Sequence, residues 1–234
     1  MPEIHVLEKH IAELIAAGEV VERPASVIKE LTENAIDAGA TVITVEIHNG
    51  GTTYMRVTDN GCGIARADVP KAFLRHATSK IQTAADLSAI GTLGFRGEAL
   101  ASICAMARVE LLTRTESELA GTHYCINGGD EALIEDAGCP CGTTVLVRDL
   151  FYNTPARMKF LKKDVAEGNA IANVLDKLAL SHPEVSVRFV RDGREALRTP
   201  GDGQLRSAVF AVYGHEFTAG LMPVSYRMGG ITVE

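Results

Sequence analysis

The sequence predicts an α+β protein, a sandwich of helices and a mixed, mostly antiparallel sheet. A helix is expected from Pro24, a favourable first-turn residue, to Gly39, a favourable C-terminal cap. The β-branched residues 41–47 and the returning residues 54–58 flank an Asn49-Gly50-Gly51 turn, a pattern typical of two paired strands. A helix followed by two paired strands indicates this fold class.

Composition places the chain among ordinary globular proteins. Its 234 residues are 46% hydrophobic and 23% charged, and this length fits one large domain with the start of another. No apolar run approaches the roughly 20 residues of a membrane helix, and residues 1–5 lack the features of a signal peptide. We therefore expect a cytoplasmic protein with no membrane partner. The formal net charge of -7 argues against generic nucleic-acid binding, so any DNA contact must come from a local patch.

The cysteines are expected to be reduced thiols, because a cytoplasmic protein of this size needs no disulfides to fold. The pair Cys139 and Cys141 has no matching second pair, so we interpret it as two loop thiols rather than a metal site. The five cysteines are Cys62, Cys104, Cys125, Cys139 and Cys141.

The remaining elements follow in chain order. Residues 7–17 predict a short helix that ends at Gly18. Residues 61–97 predict a long functional loop or lid that contains a helical turn near residues 69–75. A helix is then expected over residues 98–106, and strands over residues 108–113, 122–126 and 143–148.

The last part of the chain predicts a long helix over residues 155–180, capped by Thr154. A hairpin of residues 185–190 and 196–198 follows, with Asp192 and Gly193 at its turn. Turn formers at 199–203 indicate a domain boundary. We expect one domain over residues 1–200 and the truncated start of a second over 201–234, with a helix at 205–213 and a strand at 231–234.

One face of the helix at residues 24–39 carries side chains with potential chemistry. Glu30, Asn34 and Asp37 are spaced i, i+4 and i+7, which places them on one side of a helix. Val27, Leu31 and Ala35 lie mainly on another side and can pack on a sheet. A solvated polar face explains the first set as well, so the helix needs support from other segments.

The segment Asp59-Asn60-Gly61-Cys62-Gly63 follows a predicted strand. Its glycines permit close approach of the backbone to a ligand, and its carboxylate can accept a hydrogen bond from the amine of adenine. Guanine carries an acceptor at that position, so such a site selects its base. An ordinary turn is the alternative.

A third segment, residues 91–98 (GTLGFRGE), leads into a helix. Glycine-rich backbone at a helix N-terminus offers N–H groups to phosphate. The segment matches neither the Walker-type phosphate loop nor the Rossmann fingerprint, and a surface loop is the alternative. Three such segments in this order are much harder to produce by chance than any one of them.

This order of segments resembles the GHKL superfamily, which groups the ATP sites of DNA gyrase, Hsp90, sensor histidine kinases and MutL. Within it, four strings resemble the MutL family closely: residues 14–24 (LIAAGEVVERP), 75–80 (RHATSK), 94–100 (GFRGEAL) and 149–157 (DLFYNTPAR). Residues 116–141 are not diagnostic. The resemblance implies a GHKL (Bergerat) ATP-binding domain over residues 1–200, followed by the start of a ribosomal S5-like, transducer-like domain.

The resemblance also implies roles for individual residues. The residue that matches Glu30 is the general base for water, with Glu33 as our second choice, and Asn34 matches the protein ligand of Mg²⁺. Asp59 matches the residue that holds the adenine amine, and Lys80 lies near phosphate in the lid. The implied nucleotide-binding set is Asn34, Asp37, Asp59, Gly61, Gly63, Thr78, Ser79, Lys80, Gly94, Phe95, Arg96, Gly97, Glu98, Ala99, Leu100, and Thr143 or Thr144.

By the same resemblance, water attacks ATP in line and hydrolysis is slow, because it drives a conformational cycle. ATP is expected to order the lid and to let two N-terminal domains form a homodimer. The dimer is expected to couple mismatch recognition by a MutS-type protein to strand incision by a downstream nuclease or helicase.

A basic cluster is the candidate for weak, sequence-independent DNA contact. It comprises Arg157, Lys159, Lys162 and Lys163, beside Phe160, and a solvated basic turn explains it equally well.

Two other functions compete with this hypothesis. One is a different GHKL ATPase, such as a gyrase-like subunit, and the other is a catalytically silent, nucleotide-gated scaffold. The strings at residues 75–80 and 94–100 favour MutL, and the presence of Glu30 argues against a silent scaffold. Related proteins supply a lysine to the γ-phosphate from the second domain, so this chain is expected to hydrolyse ATP poorly.

Overall fold

The computed structural model describes residues 5–6, 8–81, 83, 85–88, 91–222 and 224–233. The helices are α1 (Lys9–Val20), α2 (Pro24–Asp37), α3 (Val69–Ala72), α4 (Ala99–Met106), α5 (Pro155–Met158), α6 (Asp164–Ser181) and α7 (Leu205–Ala219). The strands are β1 (Val42–His48), β2 (Tyr54–Asp59), β3 (Arg108–Arg114), β4 (Gly121–Asn127), β5 (Asp130–Ala137), β6 (Gly142–Arg148), β7 (Ser186–Arg191), β8 (Arg194–Arg198), β9 (Tyr226–Met228) and β10 (Ile231–Val233).

Strands β1 to β8 form one sheet in the order β5-β4-β3-β6-β2-β1-β7-β8, and β9 pairs with β10 separately. Every pairing in the large sheet is antiparallel except that of β1 with β7, which is parallel. The prediction of a mixed, mostly antiparallel sheet is therefore confirmed. Strands β1, β2, β3 and β6 alternate buried with partly exposed residues, which is the pattern of a sheet covered on one face.

Helices α2, α4 and α6 contact strands of this sheet and cover its buried face. Val27, Leu31 and Ala35 are buried, as predicted for the packing side of α2. The helix ends as predicted: Gly39 has a φ of 74°, and the Ala40 N–H donates to the carbonyl of Ala35 at 3.1 Å. Packing against the sheet thus holds α2 in place and leaves its polar side free for other contacts.

Helix α1 continues through Gly18 to Val20, so the prediction that it ends at Gly18 is wrong. The guanidinium of Arg157 occupies the space that a side chain at residue 18 would need, and it donates a hydrogen bond to the Gly18 carbonyl at 2.8 Å. This tertiary contact explains why glycine is accommodated within the helix. Leu7, where the helix was predicted to begin, lies outside the described residues.

The predicted long helix over residues 155–180 is wrong, because the chain forms the short α5, a connecting segment and then α6. The Thr154 side chain makes no capping bond, and its buried hydroxyl has no partner among the described residues. Glu167, 1% exposed, accepts bonds from the Arg23 guanidinium and from the Lys162 N–H at 2.9 Å. A buried carboxylate needs such partners, and these contacts hold the chain out of helical conformation at Lys162.

Other elements differ from the predictions in extent. Strand β5 lies in a region for which no strand was predicted, because it is an edge strand with no buried residue. Helix α7 extends past Tyr213 to Ala219, with Gly214 in a non-helical conformation. Glu234, in the predicted last strand, lies outside the described residues. Helix α7 contacts α6 and β8, and the domain boundary near residue 200 stays a prediction.

Candidate functional site

The polar side of α2 forms one wall of the candidate site. The Lys80 ammonium contacts the Asn34 amide oxygen at 2.9 Å and the Asp37 carboxylate at 2.6 Å. The Asp37 side chain is only 6% exposed. The lysine lies 46 and 43 residues further along the chain from these two partners, so the contact is tertiary. The structure therefore brings three of the predicted residues together.

The glycine-rich loop rests on the same carboxylate. The backbone N–H groups of Leu93 and Gly94 donate to Asp37 at 2.9 and 3.1 Å. Burial by itself raises the pKa of Asp37, but the Lys80 hydrogen bond and the two backbone donors outweigh it, and the net pKa is lowered. Asp37 is therefore an anion that holds both an ammonium group and the N–H groups of the loop.

Glu30 and Glu33 share the neighbouring lysine unequally. The Lys29 ammonium lies 2.7 Å from a Glu33 oxygen and 3.7 Å from a Glu30 oxygen. Burial raises the pKa of Glu30 against the opposing attraction of Lys29 and Lys80. A carboxylate that is partly desolvated and not tied to a close cation is better suited to accept a proton than one held in a short ion pair. This difference favours Glu30 over Glu33 as a base.

The opposite end of the site is built around Asp59. The N–H groups of Gly61 and Thr143 donate to the same oxygen, Oδ1, at 2.8 and 3.3 Å. The other oxygen, Oδ2, has no hydrogen-bond partner among the described residues. Burial raises the pKa of Asp59, although both N–H groups lower it. One carboxylate oxygen is thus fixed by backbone, and the second can accept a donor from a ligand.

The turn at residues 61–63 is packed closely against its neighbours. Gly63 has a φ of 72°, and an added Cβ would lie 2.2 Å from the carbonyl oxygen of Arg114. A Cβ at Gly61 would lie 2.8 Å from the carbonyl of Ala38, which also accepts the Cys62 N–H at 3.0 Å. Adjacent residues at the end of α2, Asp37 and Ala38, therefore contact the glycine-rich loop and the Asp59 turn respectively.

Several of the other predicted residues support the loops. The Thr78 hydroxyl accepts the Lys80 N–H at 3.2 Å. An added Cβ at Gly97, whose φ is 62°, would lie 2.5 Å from the Ala77 carbonyl. Glu98 lies 3.3 Å from His76 and precedes α4, which begins with Ala99 and Leu100. Ser79 and Arg96 are exposed, and the Arg96 guanidinium lies 5.8 Å from the Phe95 ring centroid.

The sheet register separates the two threonines that the sequence left as alternatives. Thr143 pairs directly with Asp59, so both side chains lie on the face that the helices cover. Thr144 pairs with Thr58 on the opposite face, where their hydroxyls lie 3.1 Å apart. The structure brings Thr143 to the site and does not bring Thr144.

The basic cluster does not lie along one helix as predicted. Arg157 lies in the short helix α5, and its guanidinium donates a hydrogen bond to the Gly18 carbonyl. Lys159, Lys162 and Lys163 are exposed on the segment between α5 and α6, together with Phe160, which is 86% exposed. Three of the four basic side chains therefore remain open to solvent.

All five cysteines are free thiols, and no cluster of three or more His, Cys, Asp or Glu side chains suited to a metal occurs in the described part of the chain. Within the same residues, no helix has the length and apolar character needed to cross a membrane.

Sequence reasoning missed Thr113, a buried residue of β3 whose hydroxyl contacts both Ile64 and Thr143. It also missed Asn60, whose side-chain oxygen accepts the N–H groups of Thr41 and Val42 at 2.9 Å each. Asn60 lies inside the segment 59–63, but its side chain was given no role, and Thr113 lies in no motif with recognisable spacing. The alternation of β3 predicts that Thr113 faces inward, and a buried hydroxyl requires partners, so that signal was available.

Residues 22–132 match the family described as histidine kinase-, DNA gyrase B- and HSP90-like ATPase. The chain is 34% identical to the structure of the Aquifex aeolicus MutL ATPase domain complexed with ADP, with a TM-score of 0.70, and the match covers 83% of this chain and 70% of that one. The chain belongs to the MutL family. The fold predicted from the GHKL resemblance is confirmed by the same comparison.

Full-length MutL relatives agree with this assignment. The chain is 52% identical over 234 residues to the DNA mismatch repair protein MutL of Agathobacter rectalis, and 52% identical over 227 residues to that of Symbiobacterium thermophilum. These matches cover 100% and 97% of this chain but 36% of each relative. The chain therefore spans about a third of the length of these MutL proteins.

Proposed function

We propose that the chain binds Mg-ATP along the polar side of α2, from the Asp59 turn to the glycine-rich loop, and slowly hydrolyses it to ADP and phosphate. The observation that carries the proposal is that the C-terminus of α2 contacts both ends of the candidate site. Asp37 holds Lys80 and the glycine-rich loop, and the next residue, Ala38, holds the turn that follows Asp59. The ADP complex of the Aquifex aeolicus domain supports a nucleotide as the ligand of this fold.

At the base end, the free oxygen of Asp59 accepts a hydrogen bond from the adenine amine, and the Gly61–Gly63 turn lies against the ring. At the phosphate end, the N–H groups of Leu93 and Gly94 and the ammonium of Lys80 exchange their contacts with Asp37 for contacts with phosphate oxygens. Charge favours this exchange, because a triphosphate carries more negative charge than one carboxylate.

Asn34 fits the role of magnesium ligand. Its amide oxygen is a hard donor of the kind Mg²⁺ prefers, and it already attracts a cationic group, the Lys80 ammonium. The ion supplies neutralisation of phosphate charge. Glu30 accepts the proton of the attacking water, a contribution of about 10²- to 10⁴-fold in rate.

The wider role rests on membership of the MutL family. We infer that the protein acts in cytoplasmic DNA mismatch repair as an ATP-dependent switch, which dimerises through its N-terminal domain when ATP is bound. The dimer couples a MutS-type recognition protein to a downstream nuclease or helicase. The exposed lysines at 159, 162 and 163 provide weak, salt-sensitive DNA contact.

Equilibrium binding of a non-hydrolysable ATP analogue, with and without Mg²⁺, tests the proposal. The wild-type chain is compared with Asp59→Ala and with Asp68→Ala, a matched control whose carboxylate is 61% exposed and pairs with Lys71. We expect Mg²⁺-dependent binding that Asp59→Ala abolishes and Asp68→Ala retains. Failure of the folded wild-type chain to bind, or equal binding by both variants, would contradict the proposal.

A further inference from the structure

Thr113 lies beside the base end of the site, inside the sheet. It pairs with Thr143 across β3 and β6, and Thr143 pairs with Asp59 across β6 and β2. The three side chains therefore form a row on the helix-covered face of three neighbouring strands. Thr113 is the innermost of the three, at 1% exposure.

The hydroxyl of Thr113 has three partners. It lies 3.0 Å from the Gly142 carbonyl oxygen, 2.9 Å from the Ile64 nitrogen and 3.1 Å from the Thr143 hydroxyl oxygen. A threonine hydroxyl has one hydrogen to donate and two lone pairs to accept. The carbonyl can only accept, so the hydrogen goes to Gly142. The Ile64 N–H can only donate, so it takes one lone pair.

The remaining lone pair of the Thr113 hydroxyl determines whether the Thr143 hydroxyl donates or accepts in the contact between them. Because Thr113 has no second hydrogen, the Thr143 hydroxyl must be the donor in the contact between them. Its own hydrogen is then committed, and its oxygen can only accept from any other partner. The Asp59 carboxylate beside it is also an acceptor, so these two side chains present acceptors alone.

We propose that Thr113 is a positioning residue that fixes the Thr143 hydroxyl as an acceptor and thereby strengthens selection of 6-amino over 6-oxo purine nucleotides. This inference rests on the proposed ATP-binding function. A 6-amino purine offers a donor to both acceptors, whereas a 6-oxo purine presents an acceptor and meets repulsion. Without Thr113, the Thr143 hydroxyl can rotate and donate to the 6-oxo group, so the discrimination becomes weaker.

Thr113 also ties the Asp59 turn to the sheet through Ile64. Loss of that anchor is a structural effect, and it weakens binding of every purine nucleotide in the same proportion. The ratio of two dissociation constants separates this effect from the proposed one. Inosine triphosphate is the suitable competitor, because it carries the 6-oxo group of guanine without its 2-amino group.

The experiment measures dissociation constants of the β,γ-imido analogues of ATP and inosine triphosphate with Mg²⁺. Thr113→Val keeps the branched shape and removes the hydroxyl, whereas Thr113→Ser keeps the hydroxyl. We expect Thr113→Val to reduce the ratio of the dissociation constant of the inosine analogue to that of the ATP analogue about tenfold. This is the size of one lost hydrogen-bond preference. We expect Thr113→Ser to keep the ratio within about threefold of the wild type.

Each result has a distinct meaning. A Thr113→Val chain that loses affinity for both nucleotides but keeps their ratio would overturn the inference and leave the proposed function standing. A folded wild-type chain that binds neither analogue would overturn both. If Thr113→Val does not fold, Thr113→Ser still decides, because loss of the ratio in a folded chain that retains the hydroxyl contradicts the role of that hydroxyl.

Discussion

The two ends of the candidate site are built differently. At the base end, Gly61, Gly63 and Gly142 lie so close to neighbouring backbone that an added Cβ would come within 2.8, 2.2 and 2.2 Å of it. At the phosphate end, an added Cβ at Gly94 would have the Lys80 ammonium at 3.4 Å as its nearest neighbour, and one at Gly91 would meet none of the described residues within 4 Å. The base end is close-packed, whereas the loop at residues 91–94 has room. Gly97, where the loop leads into α4, is the exception, since an added Cβ there would lie 2.5 Å from the Ala77 carbonyl.

The contacts differ in the same way. Asp59 accepts from backbone N–H groups whose positions follow from the β2–β6 register and the adjoining turn. Asp37 is contacted by a long, flexible lysine side chain and by the loop that contains Leu93 and Gly94. Contacts of the first kind are preformed, whereas those of the second kind can be exchanged for a ligand. We therefore expect the proposed base recognition to be fixed by the fold and the proposed phosphate recognition to involve rearrangement.

The largest expected effect lies at the phosphate end. Glu30→Gln should lower kcat for ATP hydrolysis by about 10²- to 10⁴-fold with ATP affinity retained, because it removes the proton acceptor and keeps the shape. Glu33→Gln is the matched control, since the Glu33 carboxylate is already paired with Lys29 at 2.7 Å. Steady-state phosphate release measures both. A larger loss of kcat in Glu33→Gln than in Glu30→Gln would show that Glu33, and not Glu30, accepts the proton.

The packing difference itself predicts unequal effects of one added methyl group. Gly63→Ala should lower the free energy of unfolding by about 2 kcal/mol or more, because the left-handed conformation and the contact with the Arg114 carbonyl both oppose a Cβ. Gly94→Ala should cost less than about 0.5 kcal/mol. Urea denaturation measures both values. Equal costs would break the distinction between the two ends.

Asp37→Asn should affect the binding of a ligand that carries phosphates and leave the binding of one without phosphates unchanged. Replacing the carboxylate weakens its hold on Lys80 and on the loop, so we expect ATP affinity to change by about three- to tenfold. Adenosine, which lacks phosphates, should bind as it does to the wild type. Titration calorimetry with the two ligands tests this. An equal change for adenosine would show that Asp37 also shapes the base end.

The smallest expected effect concerns stability and pH. Burial raises the pKa of Glu30, so the charged carboxylate destabilises the fold at neutral pH. The penalty is absent below pH 4.5, the ordinary value, and grows as pH rises through the raised value. Glu30→Gln should therefore have a higher Tm than the wild type at neutral pH, with little difference below pH 4.5. A Tm difference that grows on acidification would contradict this.

Local patterns were sufficient to predict much of the fold. The Pro24 and Gly39 signals set the ends of α2, and β-branched residues with turn signals predicted strands at residues 41–47, 54–58 and 143–148, although not their order in the sheet. Strand β5 could not be predicted in this way, because as an exposed edge strand it has no buried side to impose alternation. The break between α5 and α6 depends on the buried Glu167, a contact that local sequence does not encode.

The candidate site likewise combines features that local sequence predicts with features that depend on tertiary structure. The spacing of Glu30, Asn34 and Asp37 is local to one helix, so their common face could be predicted. The choice between Thr143 and Thr144 depends on strand register, and the role of Thr113 depends on hydrogen-bond accounting across three strands. Both needed the three-dimensional arrangement.

Hydrogen exchange of individual backbone amides, with and without a non-hydrolysable ATP analogue and Mg²⁺, tests the central claim most directly. We predict that the Gly61, Ile64 and Thr143 amides are already protected without ligand and change little, whereas Leu93 and Gly94 gain strong protection when it binds. Equal gains at both ends would contradict a preformed base end, and no change at Leu93 and Gly94 would contradict their role in binding phosphate.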